Sequence, residues 1–237
     1  MSRHRFSRTE MLIGEEGLAK LKVARVIVFG VGGVGSYTVE ALARAGIGEL
    51  TLVDFDTVDV TNINRQLHAM DDTIGSYKVD LMAERIKHIN PEAIVTPIRE
   101  FYSPQNGDDL IKGDYSYVVD AIDNVTGKLD IIKRCYSQGL PVISCMGAGN
   151  KLDPAAFRVA DISETSVDPL ARVMRRELRK AQIEKGVKVV FSVEPPITPQ
   201  QRVVKGETAI SLAPGSISFV PAAAGLVLAG AVVRGLL

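Results

Sequence analysis

The stretch VIVFGVGGVGSYTVE, residues 26–40, constrains the fold more than any other part of the chain. A wholly apolar run ends in a turn where Gly30, Gly32 and Gly35 keep the spacing G-x-G-x-x-G, with Gly33 among them. Such a run is typical of a parallel strand covered on both faces. A glycine turn from that strand into a helix aims backbone N–H groups and the positive end of the helix dipole at one point, which suits phosphate. The expected class is α/β: a Rossmann-like, doubly wound, mostly parallel sheet with an α/β C-terminal extension.

The rest of the pattern follows that expectation. Residues 9–22 read as a short amphipathic helix with Met11, Leu12, Leu18 and Leu21 on one side. Strands are expected over 23–29, 49–53, 94–98, 117–120 and 141–145, and helices over 36–45, 78–89, 108–112 and 125–138. Gly46, Asn90-Pro91 and Gly139 supply stops. The second half is less regular, with strands over 157–161 and 187–192, a charged helix over 169–185 and a polar loop over 195–207. We expect one domain over 1–237: a helical arm (1–22), a nucleotide-binding core (23–149) and a C-terminal extension (150–237).

Composition narrows the classes. Lys and Arg total 28 and Asp and Glu 28, so any contact with nucleic acid must come from a local patch. The two cysteines, Cys135 and Cys145, form no C-x-x-C pair, which argues against a zinc knuckle. Lone thiols and an N-terminus without an apolar run suit a cytoplasmic protein. Residues 217–233 are largely apolar but include Ser218, Pro221 and three successive alanines, which favours a buried helix over stable membrane insertion.

Ligands of such sheets lie beyond the carboxyl ends of the strands. Here those ends are 30–35, 54–56, 120–124 and 145–149. Asp54 stands where a carboxylate holds ribose hydroxyls, with Asp56 just beyond; a nicotinamide site would look the same to this point. The next residues differ. Asn62, Arg65 and Gln66 follow closely in TVDVTNINRQLH, and Lys78 opens a helix. A triphosphate needs such cations, because its leaving pyrophosphate must be followed by positive charge. Asp123, in DAIDN beside Asn124, supplies a carboxylate for Mg2+ bridging phosphate oxygens. Singly, these residues are surface charges, helix caps or loop positions. Their coincidence on one sheet edge favours ATP. A nicotinamide oxidoreductase and a scaffold holding ATP structurally are the other readings.

Together, GVGGVG, LVDFDTVDVTNINRQ, GSYK and DAIDN resemble the ThiF/MoeB-type adenylating enzymes, relatives of the ubiquitin-activating enzymes. The resemblance spans about residues 6–149 and implies attachment of AMP to a carboxylate with release of pyrophosphate. It implies that Asp54 holds the ribose, that Asn62, Arg65 and Lys78 hold phosphates, and that Asp123 binds magnesium. RFSRTEM is similar to the family's opening motif, implying a homodimer in which Arg8 reaches the partner's site. Members that activate sulfur carriers usually bear two C-x-x-C pairs, absent here. MGAGNKLDPAAFRVADISETSVDPLARVMRRELRK, VVFSVEPP and GSISFVPAAAGLVLAG instead resemble the tRNA threonylcarbamoyladenosine dehydratases over nearly the whole chain. That resemblance implies ATP-dependent ring closure of the threonylcarbamoyl group on tRNA. The alternative is adenylation of a sulfur carrier's C-terminal glycine. A sulfur-transfer partner and a monovalent cation near the GAG loop stay open.

Cys145 stands at a strand end near that loop, where a thioester role is conceivable, but a small buried residue is the preferred reading. His4, His68 and His88 are isolated, so no catalytic triad is supported. Arg172, Arg175, Arg176 and Arg179 share one face of the expected charged helix. By sequence alone this is equally a solvated face or a phosphate-tracking stripe; the dehydratase resemblance tips it toward tRNA.

Overall fold

The computed structural model describes residues 3–198 and 214–237; most of the polar loop expected over 195–207 lies outside them. Seven strands form one sheet: β1 (Arg25–Phe29), β2 (Glu49–Val53), β3 (Ile94–Ile98), β4 (Tyr117–Asp120), β5 (Val142–Cys145), β6 (Phe157–Asp161) and β7 (Lys188–Ser192). Their order is β3-β2-β1-β4-β5-β7-β6. All neighbours pair parallel except β6 with β7. The chain builds outward from β1 on one side through β2 and β3, then returns to start β4 on the other. The reversal opens a crevice at the carboxyl ends of β1 and β4, the usual ligand position in such sheets.

The connecting helices are α1 (Ser7–Val23), α2 (Gly35–Ala45), α3 (Lys78–Ile89), α4 (Gly107–Leu110), α5 (Val125–Gln138), α6 (Pro169–Lys180) and α7 (Phe219–Leu236). Alternation along the strands divides the core. Val26, Val28, Leu50 and Leu52 pack with Val39 and Leu42 of α2, Met82 and Ile86 of α3 and Leu228 of α7. Ile27, Phe29 and Val118 turn the other way, toward Ile131 and Cys135 of α5. The helix stops are as expected: Gly46 (φ 101°) and Gly139 (φ 66°) cap α2 and α5 in the left-handed region.

Four details differ from the sequence reading. Gly14 (φ 73°, ψ 173°) kinks α1, so Met11 and Leu12 face solvent while Leu21 is buried. A straight helix would have put all of them on one side. Val23 ends α1 rather than starting β1, which begins at Arg25. The charged helix stops at Lys180, not at residue 185, and Gln182 takes a left-handed φ of 61° as the chain turns toward β7. Finally, the C-terminal helix is buried on one face only. Val220, Ala224, Leu228 and Val232 lie inside, whereas Phe219 and Leu226 are exposed. By length and composition α7 is able to span a membrane. Here it lies against α2, with the Thr38 hydroxyl donating to the Gly225 carbonyl at 3.1 Å. A Cβ on Gly225 would come within 2.3 Å of the Val34 carbonyl oxygen, so only glycine permits that approach.

Candidate active site

The glycine turn sits in the crevice between β1 and β4. Gly30 has φ 84°, and a Cβ there would meet the Ala121 carbonyl oxygen at 2.7 Å. A Cβ on Gly35 would sit 1.8 Å from the Gly30 carbonyl oxygen. Both positions therefore demand glycine, one for its dihedral and both for space. Gly32 and Gly33 lie against the following segment and the C-terminal helix without a comparable clash: a Cβ would lie 3.8 Å from Gln66 Nε2 at the first, and 3.2 Å from Pro221 Cβ and 3.4 Å from Arg65 Cγ at the second. The expected phosphate-binding segment is thus folded onto the glycine loop.

Asp54, at the end of β2, is held toward this turn. One carboxylate oxygen accepts from the Val31 N–H (2.6 Å) and the other from the Asp56 N–H (2.9 Å). Burial raises its pKa, and these two bonds oppose the rise. Lys78, only 4% exposed, donates to Asp56 Oδ2 at 2.7 Å. The ammonium is thereby stored at the site's edge on an exposed carboxylate. Arg65 donates to the Thr61 carbonyl and to Asn64 Oδ1. Asn62 accepts from the Asp59 N–H through Oδ1, closing a one-turn cap. Gln66 is buried, and its Oε1 has no partner among the described residues.

Neighbouring His68 is 4% exposed, and both its ring nitrogens lack partners among the described residues. Burial first, then the Lys78 charge, pushes its pKa down to about 4. An unfolded histidine titrates near 6.5, so between these values the unfolded chain binds the extra proton. Stability is therefore expected to be full above about pH 6.5 and to fall by up to ~3 kcal/mol toward pH 4. Urea midpoints measured across that range should fall less steeply in His68→Gln; an unchanged slope would place the acid sensitivity elsewhere.

Beyond β4, Asp123 is exposed and makes no ion pair among the described residues. Asn124 caps α5 by accepting from the Gly127 N–H at 2.6 Å, so the capping role does not fall to Asp123. No group of three His, Cys, Asp or Glu side chains suited to a metal is found among the described residues. Magnesium fits such a place, because it commonly takes one or two carboxylates and completes its shell with phosphates and water.

Sequence reasoning missed two buried ion pairs beneath these loops. Lys128 Nζ lies 3.1 Å from both oxygens of Asp120 and 2.7 Å from the Cys145 carbonyl oxygen. Lys151 Nζ bonds the Gly147 carbonyl (2.9 Å) and Asp168 Oδ2 (3.3 Å). Lys151 thus places a buried ammonium directly against the GAG loop.

Cys145 is 3% exposed, and burial pushes its thiol up to about 12. A thiol kept protonated in this way is a poor nucleophile. Cys145→Ala should keep ring closure within about threefold while losing ~1 kcal/mol of packing, given how little volume is removed. Complete loss of closure with the fold intact would restore the thiol to the mechanism.

Two further groups are expected to act outside this nucleotide site. Arg8 is exposed on α1, with no bond to the glycine loop of its own chain. Of the α6 stripe, Arg172, Arg176 and Arg179 are exposed, but Arg175 is half-buried and donates to the Thr165 carbonyl and hydroxyl. It borders the buried face formed by Ala171, Met174 and Leu178, so it leaves the stripe.

This geometry has close relatives. The ThiF family matches residues 6–237. The tRNA threonylcarbamoyladenosine dehydratase of Bacillus subtilis is 49% identical, covering 99% of this chain and 95% of its own. That of Escherichia coli is 43% identical over 84% of this chain and 76% of its own. The crystal structure of the E. coli dehydratase in complex with ATP has a TM-score of 0.89 at 39% identity, covering 98% of this chain and 93% of that one. With the glycine loop, Asp54, Lys78 and Asp123 arrayed on one sheet edge and the match spanning both halves of the fold, the chain belongs to the ThiF family.

Proposed function

We propose that this protein adenylates the threonylcarbamoyl side chain of threonylcarbamoyladenosine in tRNA with ATP, then closes it into a ring with loss of water. One observation carries the reading: the glycine loop, the Asp54 carboxylate and the stored Lys78 ammonium converge at the switch point of a fold that matches, nearly end to end, a dehydratase solved with ATP and with AMP.

The chemistry follows from the side chains. Asp54, already fixed by two backbone N–H groups, has lone pairs left for ribose hydroxyls. The N–H groups of the glycine turn and the N-terminus of α2 receive phosphate oxygens. Lys78 exchanges Asp56 for phosphate, and Arg65 gives up its carbonyl partner to do the same; both then follow the charge onto leaving pyrophosphate. Asn62 and Gln66 line the phosphate side, and Asn124 holds the start of α5 beside Asp123, the carboxylate that would hold magnesium. When bound, that ion neutralises phosphate charge. The substrate carboxylate attacks the α-phosphorus, giving an acyl adenylate. A nucleophile on the same side chain then displaces AMP, so proximity supplies much of the second step.

Residues 1–237 are read as one adenylation unit acting as a cytoplasmic homodimer, with Arg8 crossing to the partner's site. Arg172, Arg176 and Arg179 contact tRNA phosphates. If Arg8 acts across subunits, mixing Arg8→Ala with Asp123→Ala should recover activity that neither shows alone; no recovery would confine each site to its own chain. A sulfur-carrier substrate is the second reading, favoured by the shared adenylation motifs.

Nucleoside mass spectrometry tests the proposal. Protein, ATP, magnesium and tRNA bearing threonylcarbamoyladenosine are incubated, and the nucleoside is weighed after gentle digestion. Loss of one water only with ATP is expected. An unchanged mass, alongside pyrophosphate exchange driven by a carrier protein's C-terminal glycine, would replace this reading with the second.

A further inference from the structure

The loop after β5 has an unusual hydrogen-bond balance. Its carbonyls are engaged from below: Cys145 by Lys128 at 2.7 Å and Gly147 by Lys151 at 2.9 Å. Its N–H groups are not. Met146 still donates to the Val190 carbonyl, but the next three amides, Gly147, Ala148 and Gly149, have no partner among the described residues. Pairing resumes at Asn150, which donates to the Gly215 carbonyl. Three successive unpartnered amides in a half-buried loop at a ligand-binding edge call for an acceptor from outside the chain.

Lys151 sets the direction of these amides. It is 4% exposed, and its partner Asp168 is 1% exposed. The carboxylate of Asp168 is itself fixed by the Ala171 N–H at 2.9 Å. In a trans peptide the C=O and the following N–H point opposite ways. Because the Gly147 carbonyl is drawn inward to the buried ammonium, the Ala148 N–H is turned outward. Gly147 keeps this approach close, since a Cβ there would stand 3.1 Å from Asp168 Oδ2, a tight contact.

We infer that the Gly147, Ala148 and Gly149 amides form an oxyanion site for the ring-closing step, with Lys151 and Asp168 as its positioning residues. The inference rests on the proposed function. The glycine loop after β1 holds phosphates and the loop after β4 carries Asp123, so the loop after β5 flanks the acyl carbon. In that step the side chain's own nucleophile bonds to the acyl carbon, and the carbonyl oxygen takes up negative charge. The charge then returns as the carbon–oxygen bond to AMP breaks; AMP leaves with the electron pair, and the nucleophile's proton passes to water. Donors aimed at that oxygen favour closure and leave attack at phosphorus untouched.

The test separates the two half-reactions. Lys151→Met/Asp168→Asn removes both charges together, leaving neither buried alone. With threonylcarbamoyladenosine tRNA, pyrophosphate exchange should stay within about threefold of wild type. Single-turnover ring closure should slow ~10²-fold, and hydroxylamine should trap the accumulated adenylate. Ala148→Pro, which deletes one donor, should shift the balance the same way, with Ala148→Ser as its control. Closure at the wild-type rate in both variants would overturn the inference. So would a parallel loss of exchange, closure and thermal midpoint, the mark of a merely structural loop. If wild-type protein closes no ring at all, the functional proposal fails first, and this inference fails with it.

Discussion

Asp123→Ala is expected to lower pyrophosphate exchange ~10²–10⁴-fold, the loss of several kcal/mol of metal-borne charge stabilisation. Its urea midpoint should match that of the wild type. The two halves of this expectation have separate causes. Asp123 is exposed and makes no ion pair among the described residues, so its removal leaves none of their buried groups without a partner. The structural duties nearby belong to other residues: Asn124 caps α5, and Asp120 binds Lys128. The α5 N-terminus and the sheet beneath it should therefore survive the change. Asp123→Asn, which keeps one coordinating oxygen without the charge, should fall between alanine and wild type and need more magnesium for half-maximal exchange. Full exchange by the alanine variant at ordinary magnesium would remove Asp123 from the metal.

What could be read from sequence was local or periodic. The glycine spacing, the apolar run before it and the carboxylate after β2 each follow from a backbone requirement that few residue types meet. Gly30 and Gly35 illustrate this, since their absent Cβ atoms would collide with backbone. Helix stops at Gly46 and Gly139 were legible because a left-handed φ favours glycine. What escaped the reading depends on tertiary neighbours. Lys128 and Lys151 look like any lysine in a polar stretch. Only when α5 packs on β4, and α6 on the loop after β5, do Asp120 and Asp168 meet them. Arg175 was assigned to a stripe by angle alone, and the Thr165 carbonyl that claims it lies ten residues away. Gly14 was read as a helix interior position, where glycine costs ~1 kcal/mol; the fold spends it on a kink.

Lys128→Met should be the most destabilising of these substitutions, by ~3–5 kcal/mol, because it leaves Asp120 charged and wholly buried. The Ser144 hydroxyl at 2.5 Å and the Ile122 N–H at 3.2 Å are neutral donors and cannot replace an ammonium. The Cys145 carbonyl would lose its donor as well. Adding Asp120→Asn should recover most of the loss, since a buried neutral amide beside a thioether carries no net charge to desolvate. Function should not recover in step. Asp120 ties down the first turn of the loop that ends in Asp123, and Lys128 joins that loop to the one after β5. The double variant should therefore unfold near the wild-type urea midpoint yet show a raised KM for ATP-magnesium and slower ring closure. Recovery of both stability and turnover would make the pair a packing device only. Equal instability in the single and double variants would assign the loss to the shape of the lysine stem rather than to its charge.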